Sequence, residues 1–396
     1  MDVVCMIPAL TEGSGGHRTI LSNLTAVARR GAGVTLVAER TRRSLDAELA
    51  IAETLVPGSS SRFTWRRGWD HNTTCGIALA TSAMSVKPVR KNLHADMYAY
   101  FVQDWESWFN PMGDGYLNAE FSYLMDWRFI TIGDWLRYRL LAIDPTRSVG
   151  SVHFGVDADL TRLITPQYSD QAPIAVNWQP EKSRRCADLT LAVVDGLRAK
   201  HPHIPVLLFG SDAPLPHGDY HNLGVLSQPQ MLDLFVSAAC VVHLSSSNPS
   251  RIPFEATACA TPTVEFFGES TCFDFPAGSV VAVIPTVPEM VEAVMQVHEN
   301  LTQYTTAAAR DLSSLRSRDD EMQRFADLLL DPQLCEGQAT PNRTRPDALR
   351  DPDSIPILIQ ALEGSDAATA AASAAALAAI TLQRHGTAPR AWLLWW

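Results

Sequence analysis

The chain has 396 residues, 46% hydrophobic and 19% charged, which describes a folded soluble protein and excludes a disordered one. That length has room for two ordinary domains plus an appendage, each able to bury its own core. A formal net charge of −11 offers phosphates no global positive field and excludes non-specific nucleic-acid binding.

Seven cysteines, at 5, 75, 186, 240, 259, 272 and 335, have no CxxC spacing. They fit a reducing cytoplasm, with most acting as small buried hydrophobes. The N-terminus reads as a strand, not as a signal peptide, and no apolar run reaches the ~20 residues of a membrane span. The expected location is therefore cytoplasmic. Basic clusters at Arg40-Arg42-Arg43 and at Arg62-Arg66-Arg67, the second interleaved with Trp65 and Trp69, read as solvated loop faces. The alternative is peripheral contact with an anionic membrane surface.

Residues 2–10, DVVCMIPAL, predict a buried strand, followed by the loop Thr11 to His17. A helix to about Arg30 follows, with Ile20, Leu21, Leu24 and Val27 spaced for one face. Gly31 and Gly33 close it, and VTLVAE makes a second strand. This βαβ opening has a glycine loop that admits a ligand close to the backbone, although SGGH does not match the dinucleotide fingerprint. A helix near 45–55, a polar loop, and a strand at 75–82 come next.

Residues 98–136 hold four of the ten tryptophans. They predict a strand ending at Gln103-Asp104-Trp105-Glu106, a Pro-Gly loop, a helix, a strand at 128–132 and a helix at Gly133. Aromatic faces beside carboxylates suit carbohydrate recognition, because sugars present both apolar C–H patches and hydroxyls. A tryptophan-rich core is the alternative.

The second half alternates strands (174–178, 205–209, 240–244, 263–267, 280–284) with helices (186–199, 228–238, 253–260, 288–299). That pattern predicts a parallel, doubly wound sheet. In 241–267, VVHLSSSNPSRIPFEATACATPTVEFF, a strand breaks at Asn248-Pro249-Ser250 and a short helix starts near Pro253, with Ser250 placed to cap it. A helix opening off the carboxyl end of a strand is a phosphate site, and Glu255 could reach past it to sugar hydroxyls. A plain crossover is the alternative. A helix near 304–330 is expected to return to the first domain. Residues 331–353 read as linker, and 354–362 with 366–380 as two short helices resembling one HEAT-type repeat. That pair must dock on the enzyme, pair with another copy or remain partly disordered.

The 241–267 segment resembles the donor signature of GT-B glycosyltransferases, especially glycosyltransferase family 4. Glu255 matches the second of that family's two glutamates, which binds ribose hydroxyls. The first falls on Ser247, and the glycine usual after the helix is replaced by Ala260-Thr261. FVQDxE, PMG, a helix with Glu120 and Tyr123, ITIGxWL and PSRIPFE resemble the rhamnosyltransferase branch of bacterial surface-glycan biosynthesis, over roughly residues 2–330.

The resemblance implies two Rossmann-like doubly wound α/β domains facing each other across a cleft. They are assigned to 1–160 on the acceptor side and 161–330 on the nucleotide-sugar donor side, with 331–396 a linker and helical tail. It implies catalytic roles for His17, Glu255 and Arg184. Donor contacts fall on Gly15, Gly16, Lys182, Arg184, Arg185, Gly210, Ser247, Ser250, Arg251 and Glu255. Acceptor contacts fall on Gln103, Asp104, Glu106 and Glu120. In the loop after the 174–178 strand, Gln179 stands where the family carries an arginine, while Arg184 and Arg185 match a later basic pair. SVHFGVD resembles an interdomain linker, and HNLGVL the loop that touches the base. The implied reaction moves rhamnose or another deoxyhexose from a donor such as dTDP-rhamnose to a glycan or lipid-linked acceptor. It retains anomeric configuration and needs neither metal nor cofactor. A catalytically silent GT-B scaffold or glycan-binding protein is the alternative, and a GT-B epimerase a third. A protein partner or self-association through the tail is a further expectation.

Overall fold

A strand buried on both faces must be apolar at nearly every position, and the chain opens on one. The structure, a computed structural model, describes residues 1–157, 172–216, 220–275, 278–331 and 334. The first lobe runs β1 (Asp2–Ile7), α1 (Gly15–Arg29), β2 (Gly33–Ala38), α2 (Leu45–Leu55), α3 (Ser59–Arg62), β3 (Thr64–Arg67), β4 (Thr73–Ala80), α4 (Ala83–Asn92), β5 (Leu93–Val102), α5 (Asp114–Ser122), β6 (Arg128–Ile132), α6 (Asp134–Ile143) and β7 (Val149–Val152). Its strands pair in parallel in the order β3-β2-β1-β4-β5-β6-β7.

After β8 (Gly155–Val156) the second lobe runs β9 (Ile174–Asn177), α7 (Ala187–Lys200), β10 (Val206–Phe209), β11 (His221–Asn222), α8 (Gln228–Ser237), β12 (Cys240–Val242), α9 (Ile252–Ala258), β13 (Thr263–Phe266), α10 (Glu269–Phe273), β14 (Val280–Val283) and α11 (Val287–Glu299). Its parallel order is β11-β10-β9-β12-β13-β14. Both sheets reverse their winding once, at β1/β4 and at β9/β12. Such switch points leave a crevice beyond the carboxyl ends of the strands, where ligands of doubly wound folds bind.

The predicted stripe of α1 is buried as expected, with Ile20, Leu21, Leu24 and Val27 inside and Ser14 accepting from the His17 N–H at its start. The expected 304–330 helix is instead two. α12 (Leu301–Asp311) and α13 (Arg318–Leu330) are separated by a turn and by β15 (Arg316–Ser317), which pairs with β8. Ser317 accepts from Asp320 N–H and restarts the helix. α13 then returns to the first lobe, burying Met322, Phe325 and Leu329 in its core. Phe101 and Phe325 meet edge to face at 4.9 Å.

Sequence periodicity did not predict β3 or α4. β3 is a polar edge strand, TWRR, and α4 carries Pro88 inside it. A reciprocal Ser82/Ser85 capping box starts α4 despite that proline. The second correction concerns Ser250, which does not cap. Arg251 holds the cap position of α9, and Ser250, at φ +66, gives its N–H to Asn248 Oδ1 at 2.7 Å. Most of the expected boundary at 157–172, and the linker and HEAT-like tail, lie outside the described residues.

Candidate functional site

Cross-lobe bonds join the loop after β5, one strand from the first lobe's switch point, to the loop after β12, at the second lobe's. Gln103 and Asp104 follow β5, and Ser247 and Asn248 follow β12. Asp104 accepts from Ser247 Oγ at 3.1 Å and from Asn248 N–H at 3.2 Å, and Arg184 Nε lies 3.4 Å from its Oδ2. Asn248 Nδ2 also donates to the Gln103 carbonyl. Gly16 packs against Gln103, since a Cβ there would meet Gln103 Oε1 at 3.6 Å. Gly15 and Gly16 open α1 and are exposed.

Cations gather just after β9. Lys182, Arg184 and Arg185 lie on and beside one 3₁₀ turn (Ser183–Arg185). Burial, together with Arg185 and Arg184, pushes the Lys182 ammonium down to about 8. Burial, with Arg184, pushes Arg185 down to about 10. Arg185 Nη1 donates to the Asn248 carbonyl at 3.1 Å, while its buried Nε has no partner. These cations repel one another, Arg185 buried and Lys182 half-buried, so a bound polyanion would offset both costs. Gln179 bridges this cluster to the next strand, accepting from Lys182 Nζ and donating to the Gly210 carbonyl. Gly210 has φ +109, and a Cβ would sit 2.6 Å from Asn177 Nδ2, so glycine is needed there.

Glu255 is buried in α9 and accepts from Arg18 Nη2 of α1 at 3.2 Å, while Arg18 Nη1 reaches Gln228. α9 has only seven residues, so its dipole is modest and the cations carry most of the local positive potential. Arg251, expected at the donor, is instead turned into the junction of the lobes. It is buried and binds Glu321 at 2.6 and 2.9 Å, Thr19 Oγ1 at 3.0 Å and the Gly155 carbonyl at 2.9 Å.

His17 Nδ1 accepts from the Thr11 N–H at 3.1 Å. Burial and Arg43 hold it down to about 4, so the ring is neutral with its proton on Nε2, a donor at the mouth of the glycine loop. Two expected acceptor contacts are tied up in their own lobe. Glu120 accepts from Trp105 Nε1 at 2.9 Å and Ser107 Oγ at 2.5 Å. Glu106 accepts from Ala83 N–H and Tyr100 Oη, and burial pushes it up to about 7. Trp105 and Trp135 are core residues, whereas Trp108 is 41% exposed.

Sequence reasoning missed Arg18, Asn248 and the fully buried pair His243 Nδ1 and Glu265 Oε2, 2.9 Å apart. Burial raises Glu265 and lowers His243, so both groups favour their neutral forms. Glu265 Oε1 takes the N–H of Ser245 and of Phe266, each at 3.0 Å, and so holds the start of the 245–248 loop. A signal existed: His and Glu in otherwise apolar strands, VVHL and TVEFF, need a reason.

Two doubly wound lobes meeting at their switch points define the GT-B fold. No family model matches the chain, and no curated protein does. Solved structures do. S. aureus TarM, in a complex with fondaparinux, alpha-GlcNAc-glycerol and UDP, superposes with TM-score 0.62 at 9% identity, over 83% of this chain and 99% of that one. WaaG, a glycosyltransferase involved in lipopolysaccharide biosynthesis, gives 0.57 at 13%, over 84% and 100%. A putative UDP-N-acetylglucosamine 2-epimerase from Listeria monocytogenes gives 0.50 at 10%, over 85% and 98%. At these identities the shared property is the fold.

Proposed function

We propose that this chain is a glycosyltransferase that moves a sugar from a nucleoside diphosphate donor to a glycan or lipid-linked acceptor. One observation carries the reading: Lys182, Arg184 and Arg185 crowd together at the second lobe's switch point, facing the cleft loops. The diphosphate would lie on these cations, which stabilise the departing nucleotide. Glu255 would accept from ribose hydroxyls and His17 Nε2 would donate to a reacting sugar. The donor is a deoxyhexose such as rhamnose, carried on dTDP, in keeping with Ser247 where a glutamate would contact a fuller hexose. Transfer retains configuration without metal or resident cofactor. The setting is the cytoplasm. No helix of the described residues is long and apolar enough to cross a membrane. Residues 331–396 would supply a protein contact, with a partner or with a second copy.

Profiling purified protein against a nucleotide-sugar panel tests this. Glu255→Ala, and Arg184→Ala with Arg185→Ala, are expected to abolish turnover while leaving the melting transition in place. Unchanged turnover in both overturns the donor assignment. A silent scaffold is the second reading, favoured by Asp104 and Arg18 already occupying Arg184, Ser247 and Glu255. Calorimetry that detects no nucleotide binding selects it, and epimer products select the epimerase.

A further inference from the structure

Behind the cation cluster, the second lobe carries a polar pair where a sheet covered on both faces calls for apolar side chains. His243 follows β12 and Glu265 lies on β13, and both are fully buried. His243 Nδ1 stands 2.9 Å from Glu265 Oε2, while its Nε2 is buried with no partner. An orphaned ring nitrogen in a core is a standing cost, so packing alone does not account for the pair.

A chain of bonds leads from it to Arg185. Glu265 Oε1 takes the Ser245 N–H at 3.0 Å, and Ser245 Oγ donates to the Asn248 carbonyl at 2.6 Å. The same carbonyl accepts from Arg185 Nη1 at 3.1 Å. The Arg184 carbonyl steadies the loop from the other side, accepting the Ser246 N–H at 2.9 Å. Arg185 is buried, yet among the described residues its guanidinium bonds only that neutral carbonyl and forms no ion pair. Two carboxylates act on it: Asp104 is drawn to Arg184 at 3.4 Å, and Glu265 stays with His243. An ionised Glu265 would be an internal counterion to Arg185 and would weaken its pull on a ligand. A protonated Glu265, donating to His243 Nδ1, holds the loop and leaves the cation uncancelled.

We propose that Glu265 is a positioning residue for the donor diphosphate: its proton, shared with His243, lets it brace the 245–248 loop beside Arg185 without neutralising that guanidinium. The identity of the anion rests on the transferase reading, and the pair adds to that reading the group that keeps Arg185 available. The charged and titratable groups facing the pair are Arg185, Lys182 and Cys186, on and beside the turn before α7. Burial raises Glu265, with Arg185 opposing it, whereas burial, Arg185 and Lys182 all lower His243. The shared proton therefore rests on the carboxyl, and the neutral imidazole carries its own on Nε2.

Nitrogen NMR of the full chain with isotopically labelled histidine reads the proton directly. His243, assigned by the signal that His243→Gln lacks, is expected as a neutral ring protonated at Nε2. A ring protonated at both nitrogens, or at Nδ1 alone, means an ionised Glu265 and overturns the proposal. Calorimetry with UDP and dTDP near neutral pH reads the second half. Glu265→Gln keeps the shape, the acceptor for the Ser245 N–H and a donor towards His243, so it should bind within about twofold of the wild type. Glu265→Ala should bind at least about tenfold more weakly. A Glu265→Gln protein that binds about tenfold more tightly has lost a counterion, and one that binds about tenfold more weakly has lost a needed charge. Either result overturns the proposal, whether or not Glu265→Ala folds. A wild type that binds neither nucleotide overturns the transferase reading as well, whereas tight wild-type binding with a failed Glu265→Gln rescue overturns the positioning role alone.

Discussion

Asp104 reaches across the cleft to Ser247, its Oδ2 accepting from the serine hydroxyl at 3.1 Å. The same carboxylate faces Arg184 and takes the Asn248 N–H, so one internal anion occupies donors that a diphosphate sugar would use. Burial raises the Asp104 carboxyl above its ordinary range, against the pull of Arg184 and Arg185. On the proposed transferase reading, a donor entering the cleft would displace it.

Asp104→Asn should therefore bind UDP or dTDP more tightly than the wild type, by about tenfold if one charge-assisted contact is removed from the competition. Isothermal calorimetry reads this directly. An acceptor-binding role for Asp104 gives the opposite signature, slower transfer with unchanged or weaker nucleotide affinity, and that outcome would refute the competition.

The interlobe junction depends on a buried ion pair. Arg251 and Glu321 sit 2.6 Å apart, both nearly inaccessible, with Gly155 N–H donating to Glu321 and Phe154 lying against the guanidinium. Glu321→Gln keeps the shape and leaves Arg251 charged and unmatched, which should cost about 3 kcal/mol. Urea titration should show the midpoint falling. A loss below about 1 kcal/mol would mean that water reaches Arg251 in the variant.

How much of this was legible beforehand follows the physics of each element. The inner strands of both sheets were readable because parallel strands buried on two faces must be apolar, as in VVHL or DVVCMI. β3 and β11 were not, since an edge strand can be as polar as TWRR or HN. Of the site, the cation cluster and Glu255 stood out as charges next to strand ends. Arg18 could not, because its value comes from Glu255, 237 positions away. Arg251 looked like a phosphate ligand for the same reason: nothing local reveals Glu321 on a helix that crosses back from the other end of the chain.

One residue departs from the local rules in a way that can be corrected. Ala260 ends α9 at φ +52, the left-handed conformation that glycine adopts without penalty. Ala260→Gly should stabilise the protein by about 0.5–1 kcal/mol, the steric relief of about 1–2 kcal/mol less the added freedom of the unfolded chain. A thermal melt settles the sign. Destabilisation would show that the Ala260 methyl contributes packing worth more than the strain.

A pH dependence of the lobe contact follows from Asp274. This residue of the second lobe accepts the N–H of Asp134 at 2.6 Å and of Trp135 at 3.3 Å, at the start of α6 in the first lobe. Burial pushes its carboxyl up to about 7. His153 lies 4.0 Å away and 3.1 Å from Asp134. Burial would lower His153, but the two aspartates outweigh it and raise it. Burial would raise Asp134, but its contacts with His153 and Ser151 outweigh it and lower it. The folded state holds the Asp274 proton up to about 7, whereas an unfolded aspartate releases it near its ordinary value of about 4. Between those limits the folded state binds more protons, so the Asp274 contribution is full at the acid end and is lost as pH rises through about 7. The melting temperature of the wild type should therefore fall relative to Asp274→Asn as pH goes from about 4.5 to about 7.5. A difference between the two proteins that stays constant across that window would place the Asp274 carboxylate, ionised throughout, among the fixed charges of the lobe contact.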